Sequence, residues 1–142
     1  MASTAIRMPP APIHPVHGVL LAGTLPLFLG ALFSDIAYAR SYEIQWANFA
    51  SWLIAGGLVF AGFALLWAFV ELFRADRRGG KRLLAFLLLL GLFVIGLVNA
   101  LVHAKDAWAA MPDGLILSVV TAALSFAAIW VGFSSLRTGG SK

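Results

Sequence analysis

The sequence predicts an all-α integral membrane protein, folded as an antiparallel up-down four-helix bundle. Hydrophobic residues make up 61% of the 142 residues, and charged residues only 11%, about half the share of a typical soluble domain. The hydrophobic residues form four long continuous runs joined by short connections. A soluble chain of this length cannot bury so much apolar surface, so lipid is expected to cover it.

Each run is long enough to cross a bilayer as a helix. A helix rises ~1.5 Å per residue, so about 20 residues cross a ~30 Å hydrocarbon core. Transmembrane strands need only ~10 alternating residues, and these runs are longer and unbroken. The predicted spans are residues 16–38, 46–73, 83–103 and 114–136.

A single transmembrane domain, residues 13–137, is predicted between a short arm and a short tail. The arm, residues 1–12, contains Pro9 and Pro10, which cannot continue a helix. The tail, residues 138–142, is polar.

The first run also has features of a secretory signal peptide, which is the alternative interpretation of this segment. Arg7 precedes the run, and the small-residue pattern of residues 37–39 follows it. The long region before the run, with one basic residue, and the position of Asp35 near the supposed cleavage point favour a retained span.

The basic residues predict the orientation. Four spans place both termini and the middle loop on one side of the membrane, and eight of the ten Lys and Arg residues fall on that side. Because cytoplasmic loops are enriched in Lys and Arg, both termini are predicted to be cytoplasmic, in the bacterial inner membrane. The eight are Arg7, Arg74, Arg77, Arg78, Lys81, Arg82, Arg137 and Lys142, and the other two are Arg40 and Lys105.

Small residues recur at a spacing of four in every span. Such pairs let helix backbones approach closely in lipid, where packing replaces the hydrophobic effect. The pairs of the second and third spans are expected to matter most. The pairs are Gly18 and Ala22, Gly57 and Ala61, Gly96 and Ala100, and Ala123 and Ala127.

Three polar residues predicted near the cytoplasmic face form an inner candidate site. His14 and His17 lie at the start of the first span, and Glu71 lies at the end of the second, where it can meet His17. Ionisable groups in membrane spans are functional hypotheses by default. The alternatives are histidines that only mark a helix start, and a site that binds a cofactor, a metal or a partner.

A second polar group is predicted near the outer face. Asp35 ends the first span and His103 ends the third, so the two are expected to pair. Asn48 and Asn99 are expected to satisfy the remaining hydrogen bonds, and Asn99 shares a helix face with His103. The group is either a structural polar clamp or a proton-relay or small-ligand site, since histidine changes charge near neutral pH.

The predicted topology disfavours a b-type haem within one chain. Bis-histidine ligation needs two histidines facing each other at one depth. His17 and His103 lie most of a ~30 Å span apart, so a second subunit would have to supply a ligand. The chain has no Cys, which excludes disulfides, thiolate metal sites and cysteine-ligated iron–sulfur clusters.

No catalytic residue is predicted. The chain contains no phosphate-binding glycine loop, no metalloprotease motif and no serine-triad arrangement. The basic segment RADRRGGKR is expected to face lipid headgroups and not nucleic acid, because the loop is short and its topological role explains its charge.

The first span, with IHPVHGVLL, LPLFLG and FSD, resembles a bacterial four-span membrane family known as domain of unknown function 2231. The segment WANFASWLIAGGLVFAGFALLWAFVEL resembles that family's second span, and the likeness extends loosely over residues 13–136. Some members place a histidine early in the third span, where this chain reads KRLLAFLLLL. Some relatives are joined to Rieske-type or quinoprotein-dehydrogenase-like domains, which implies, by association, a setting in membrane electron transfer.

The preferred hypothesis is a non-catalytic accessory or anchor subunit of an inner-membrane complex, such as a redox or energy-converting one. Its partners would be lipid, other membrane subunits or further copies of the chain. The first alternative is a redox-active or proton-handling membrane protein that binds a haem or metal. A small oligomeric transporter is the second alternative, since four spans without inverted repeats need several copies to form a pathway.

Overall fold

The computed structural model describes residues 13–74 and 80–134, which form five helices. They are α1 (Pro15–Ser41), α2 (Ile44–Arg74), α3 (Gly80–His103), α4 (Ala107–Ala110) and α5 (Asp113–Ser134). The predicted arm and tail lie outside the described residues, as do Arg7, Arg77, Arg78, Arg137 and Lys142.

Four of the helices are long and apolar enough to cross a bilayer. α1, α2, α3 and α5 have 27, 31, 24 and 22 residues, with mean hydropathies between 1.9 and 2.7. Even the shortest spans ~33 Å at ~1.5 Å per residue. The predicted four-helix membrane bundle is therefore confirmed. The single turn of α4, between the last two long helices, was not expected from the sequence.

The long helices pack in a ring. α1 contacts α2 and α5, and α3 contacts the same two helices from the opposite side. Helices that follow each other in the chain run antiparallel, so α1 and α3 both begin at one end of the bundle. We call this the amino end, and we call the opposite end, where α1 and α3 finish and α5 begins, the far end. Which end faces the cytoplasm stays a prediction.

The boundaries of α1 follow from local chemistry. At its start, the Nδ1 atom of His14 accepts a hydrogen bond from the Val16 N–H at 3.3 Å, and Pro15 occupies the first turn, a position where its missing N–H costs nothing. At its end, Tyr42 adopts the left-handed conformation with a φ of 58°, and its N–H bonds to the Tyr38 carbonyl at 2.7 Å. This turn leads directly into α2.

The apolar core is organised around Phe28, which is fully buried on α1. Its ring lies against two glycines: a Cβ atom added at Gly57 of α2 would lie 2.9 Å from the ring, and one added at Gly96 of α3 would lie 3.3 Å from it. Ala22 and Ala123, from the other two small-residue pairs, are exposed. The glycines of the second and third pairs therefore accommodate the Phe28 ring where α1, α2 and α3 meet.

We expect Gly57→Ala to destabilise the bundle by about 1–3 kcal/mol, because the new methyl group overlaps a ring that Gly96 holds from the other side. Gly91→Ala is the matched control, since nothing lies within 4 Å of the added Cβ atom. Unfolding in detergent by heat or denaturant measures both. Equal stability of Gly57→Ala and wild type would show that the Phe28 contact does not limit packing.

Candidate functional site

The candidate site lies at the far end and is built around Asp35. The buried face of α1 carries Phe28, Ala31, Asp35 and Tyr38 at helical spacing, so the carboxylate points into the bundle together with the apolar core. Asp35 is fully buried, with 0% exposure. An ionisable group in such a position requires compensation from its neighbours.

Both carboxylate oxygens have partners on other helices. Oδ1 of Asp35 lies 2.9 Å from Nε2 of His103, at the end of α3. Oδ2 accepts a hydrogen bond from the Ser118 hydroxyl of α5 at 2.5 Å. The carboxylate therefore joins three of the four long helices.

Asn99 closes these contacts into a ring. Its side-chain Nδ2 donates to the Ser118 hydroxyl at 3.0 Å, and its backbone carbonyl lies 3.0 Å from Nδ1 of His103. The remaining polar atom, Oδ1 of Asn99, is buried and has no hydrogen-bond partner in the described part of the chain. The hydrogen-bonded ring thus leaves this one acceptor of Asn99 unused.

Hydrogen-bond chemistry fixes the number of protons in this ring. A carbonyl oxygen only accepts, so Nδ1 of His103 carries a hydrogen that it donates to Asn99. The short contact between Nε2 of His103 and Oδ1 of Asp35 then needs one further proton, which is either on the imidazole or on the carboxyl group. In both forms, imidazolium with carboxylate or imidazole with carboxylic acid, the pair has no net charge. A neutral pair suits a low-dielectric interior.

A cavity of about 200 Å³ lies next to this pair at the far end. It is bounded by the start of α2, by the connection from α3 to α4, and by His103. The His103 side chain itself is only 2% exposed, so its imidazole is almost fully enclosed. The polar residues that line the cavity are Asn48, Ser51, His103, Lys105 and Asp106.

The structure distributes the outer candidate residues over two places. Asp35, Asn99 and His103 belong to the hydrogen-bonded ring. Asn48 is exposed and lines the cavity, where it makes no described hydrogen bond to the carboxylate. Ser118, which contacts both Asp35 and Asn99, was missed by the sequence analysis. Its signal is the spacing of Ser118, Thr121 and Ser125 on one face of the last span.

The inner candidate residues surround a tryptophan at the amino end. The Trp67 indole N–H donates to Oε1 of Glu71 at 2.8 Å. The rings of His14 and His17 lie 4.8 Å and 6.0 Å from that of Trp67. Glu71 thus bonds to Trp67 of its own helix, and its expected meeting with His17 stays a prediction. The buried Nδ1 of His17 has no hydrogen-bond partner among the described residues.

In the described part of the chain, neither end of the bundle brings together the side chains of a metal site. Within residues 13–74 and 80–134, no group of three or more His, Cys, Asp or Glu side chains is arranged to hold a metal ion. His17 lies near the start of α1, and His103 lies at the end of α3. The two histidines therefore occupy opposite ends of the bundle and cannot bind one haem iron within a single chain.

Comparison with known protein families shows which family the chain belongs to. Residues 13–137 match the family described as "Predicted membrane protein (DUF2231)". The chain belongs to this family. The resemblance of the first span is thereby confirmed, and the matched range of the DUF2231 family contains both polar groups described above. No curated protein and no solved structure matched the chain. The function must therefore be argued from the site.

We expect Ser118→Ala to destabilise the protein by about 1–3 kcal/mol, because it leaves both Oδ2 of Asp35 and Nδ2 of Asn99 without their partner in a buried position. Ser34→Ala is the matched control, since that buried hydroxyl bonds only to the Gly30 carbonyl of its own helix. The free energy of unfolding in detergent distinguishes them. Equal losses in both variants would contradict a specific role for the ring.

Proposed function

We propose that this membrane protein binds and exchanges a proton at the Asp35–His103 pair. The observation that carries the proposal is a carboxylate with 0% exposure, bonded to a histidine at 2.9 Å inside a bundle of membrane-length helices. Ionisable residues in membrane spans are rare and are associated with proton relays and ligand pathways. Histidine beside a carboxylate suits proton exchange near neutral pH.

The energetics of the pair support a role beyond that of a structural clamp. With one shared proton the pair is neutral. Loss of that proton leaves a buried negative charge that still accepts the hydrogen bond of Ser118 but has no positive partner, which is costly. A second proton leaves an equally uncompensated positive charge. The site therefore has one preferred protonation state, and an apolar pair of similar volume would hold the helices together without this constraint.

The cavity provides access for exchange. It is lined at the far end by His103, whose imidazole is 2% exposed, and by Lys105 and Asp106. The distribution of basic residues favours a cytoplasmic amino end, so the far end is proposed to face the outer side of the bacterial inner membrane. Exchange with the outer aqueous phase then requires no passage through the apolar core.

A second candidate function is that of an accessory or anchor subunit in an inner-membrane assembly, such as a redox or energy-converting one. The observation that favours it is an open apolar groove of about 430 Å³ on the outer surface of α5, lined by Phe126, Ala127, Trp130 and Val131. A helix of a partner subunit fits such a groove. Native mass spectrometry after mild-detergent extraction tests this function, and a chain that always runs alone contradicts it.

The amino-end group is proposed as a site for a haem or metal only within such an assembly. His17 offers a buried, unpartnered Nδ1 atom, while His14 and Glu71 lie beside it around Trp67. A partner subunit or a second copy would supply the remaining ligands. An absorption spectrum of the purified protein with a Soret band supports haem, and its absence from the intact assembly removes that cofactor.

The infrared difference spectrum between acidic and alkaline buffer tests proton exchange at the pair. We expect a carboxyl component in membranes containing the wild type, its loss in Asp35→Asn, and its displacement along the pH axis in His103→Gln. Glu71→Gln is the control, because that carboxyl lies at the amino end and bonds to Trp67. A spectrum that Asp35→Asn leaves unchanged contradicts a shared proton. So does a carboxyl component that appears at the same pH in His103→Gln as in the wild type.

A further inference from the structure

The cavity at the far end is lined by three polar side chains that have no partner in the described part of the chain. Asn48 lies near the start of α2, and Lys105 and Asp106 lie in the connection from α3 to α4. No hydrogen bond or ion pair joins these side chains to another described residue, and Lys105 and Asp106 do not pair with each other. The cavity therefore offers an amide, an ammonium group and a carboxylate to a ligand.

Most of the remaining lining of this cavity is apolar. The apolar side chains come from the start of α2 and from α4 with the residue after it, and they are Ile44, Ala47, Ala107, Ala110 and Met111. Ile44 is 56% exposed, so the apolar lining reaches the outer surface of the bundle. A ligand with a charged end and an apolar end matches the two sides of the cavity.

Exposed aromatic residues place the cavity at the depth of the lipid headgroups. Trp46 and Trp108 are exposed, and each is the direct chain neighbour of a residue that lines the cavity. The ring of Tyr42, also exposed, lies 6.0 Å from that of Trp108. Trp and Tyr are enriched at the interface between membrane and water. The volume of about 200 Å³ is smaller than the ~300–1,000 Å³ of pockets for drug-sized ligands, so the cavity suits a headgroup and not a whole lipid.

We infer that the cavity binds the headgroup of a phospholipid that carries both a phosphate and a primary ammonium group, as phosphatidylethanolamine does. Lys105 binds the phosphate as a point charge, and the Asp106 carboxylate accepts hydrogen bonds from the ammonium group of the lipid. The Asn48 amide donates to a remaining phosphate oxygen. A headgroup without a cation leaves Asp106 beside a second negative charge, and a trimethylammonium group has no N–H to donate to it. The inference does not rest on proton exchange at Asp35.

Native mass spectrometry of the purified full chain tests the inference, by titration with phosphatidylethanolamine, phosphatidylcholine and phosphatidylglycerol of identical acyl chains. We expect one molecule of the ethanolamine lipid to bind about tenfold more tightly than either of the others, which corresponds to ~1.4 kcal/mol. Asp106→Asn is expected to remove the preference for ethanolamine over choline, and Lys105→Gln to weaken the binding of both these lipids. The Asp106 side chain does not cap α4, so its replacement leaves that helix intact.

Arg40→Gln and Glu43→Gln are the matched controls, because both charges are exposed at the same end of the bundle and neither lines the cavity. Both variants are expected to bind the three lipids as the wild type does. Equal affinity of the wild type for the three lipids overturns the inference, as does an Asp106→Asn variant that keeps the preference for ethanolamine. Soluble phosphoethanolamine that binds as tightly as the lipid also overturns it, since the ligand is then a free phosphate ester and not a membrane lipid.

Discussion

The neutralisation of Asp35 is the constraint on which the far end of this protein depends. A carboxylate removed from water must be paired and hydrogen-bonded, because the cost of an isolated buried charge exceeds what packing can offset. Here both oxygens are used, one by His103 and one by Ser118. Because these partners come from α3 and α5, satisfying the carboxylate also fixes how α1 is rotated against both helices.

The fourth long helix is held differently. The buried side chains of α2 are apolar or glycine, and its close contact with α1 depends on Gly57 accommodating the Phe28 ring. The bundle thus combines a polar ring that joins α1, α3 and α5 with an apolar contact that joins α1, α2 and α3. In lipid, where apolar side chains gain nothing by leaving the solvent, close packing and interhelical hydrogen bonds are the forces available for helix association. The polar ring and the apolar contact both include α1.

The general fold can be predicted from the sequence because many apolar residues, arranged in four long runs, indicate it together. Four apolar runs of more than 20 residues leave few alternatives to a helical bundle, and short connections force neighbours to run antiparallel. The neighbourhood of Asp35 and His103 follows from the same reasoning, since both residues end spans that finish on one side. Predicting that neighbourhood requires only the order of the spans, and not the rotation of each helix about its axis.

Details that depend on helix rotation could not be predicted. Ser118 has no unusual hydropathy, and only the orientation of α5 toward α1 brings it to the carboxylate. By contrast, the hydrogen bond from Trp67 to Glu71 at the amino end joins residues four apart on α2, so it does not depend on helix rotation, and the spacing could have predicted it. Asn48 was expected in the outer cluster because of its depth, but its side of the helix leaves it exposed at the cavity.

The central claim is that His103 and Asp35 hold one proton between them while the Nδ1 atom of His103 donates to Asn99. Nitrogen-15 NMR of the histidine-labelled protein in bilayers tests it directly. The chain has only three histidines, so His103→Gln assigns the relevant signals. We predict that Nδ1 of His103 stays protonated throughout the pH range in which the protein is folded, while the Nε2 signal changes in Asp35→Asn. An unprotonated Nδ1 in the folded wild type would contradict the account.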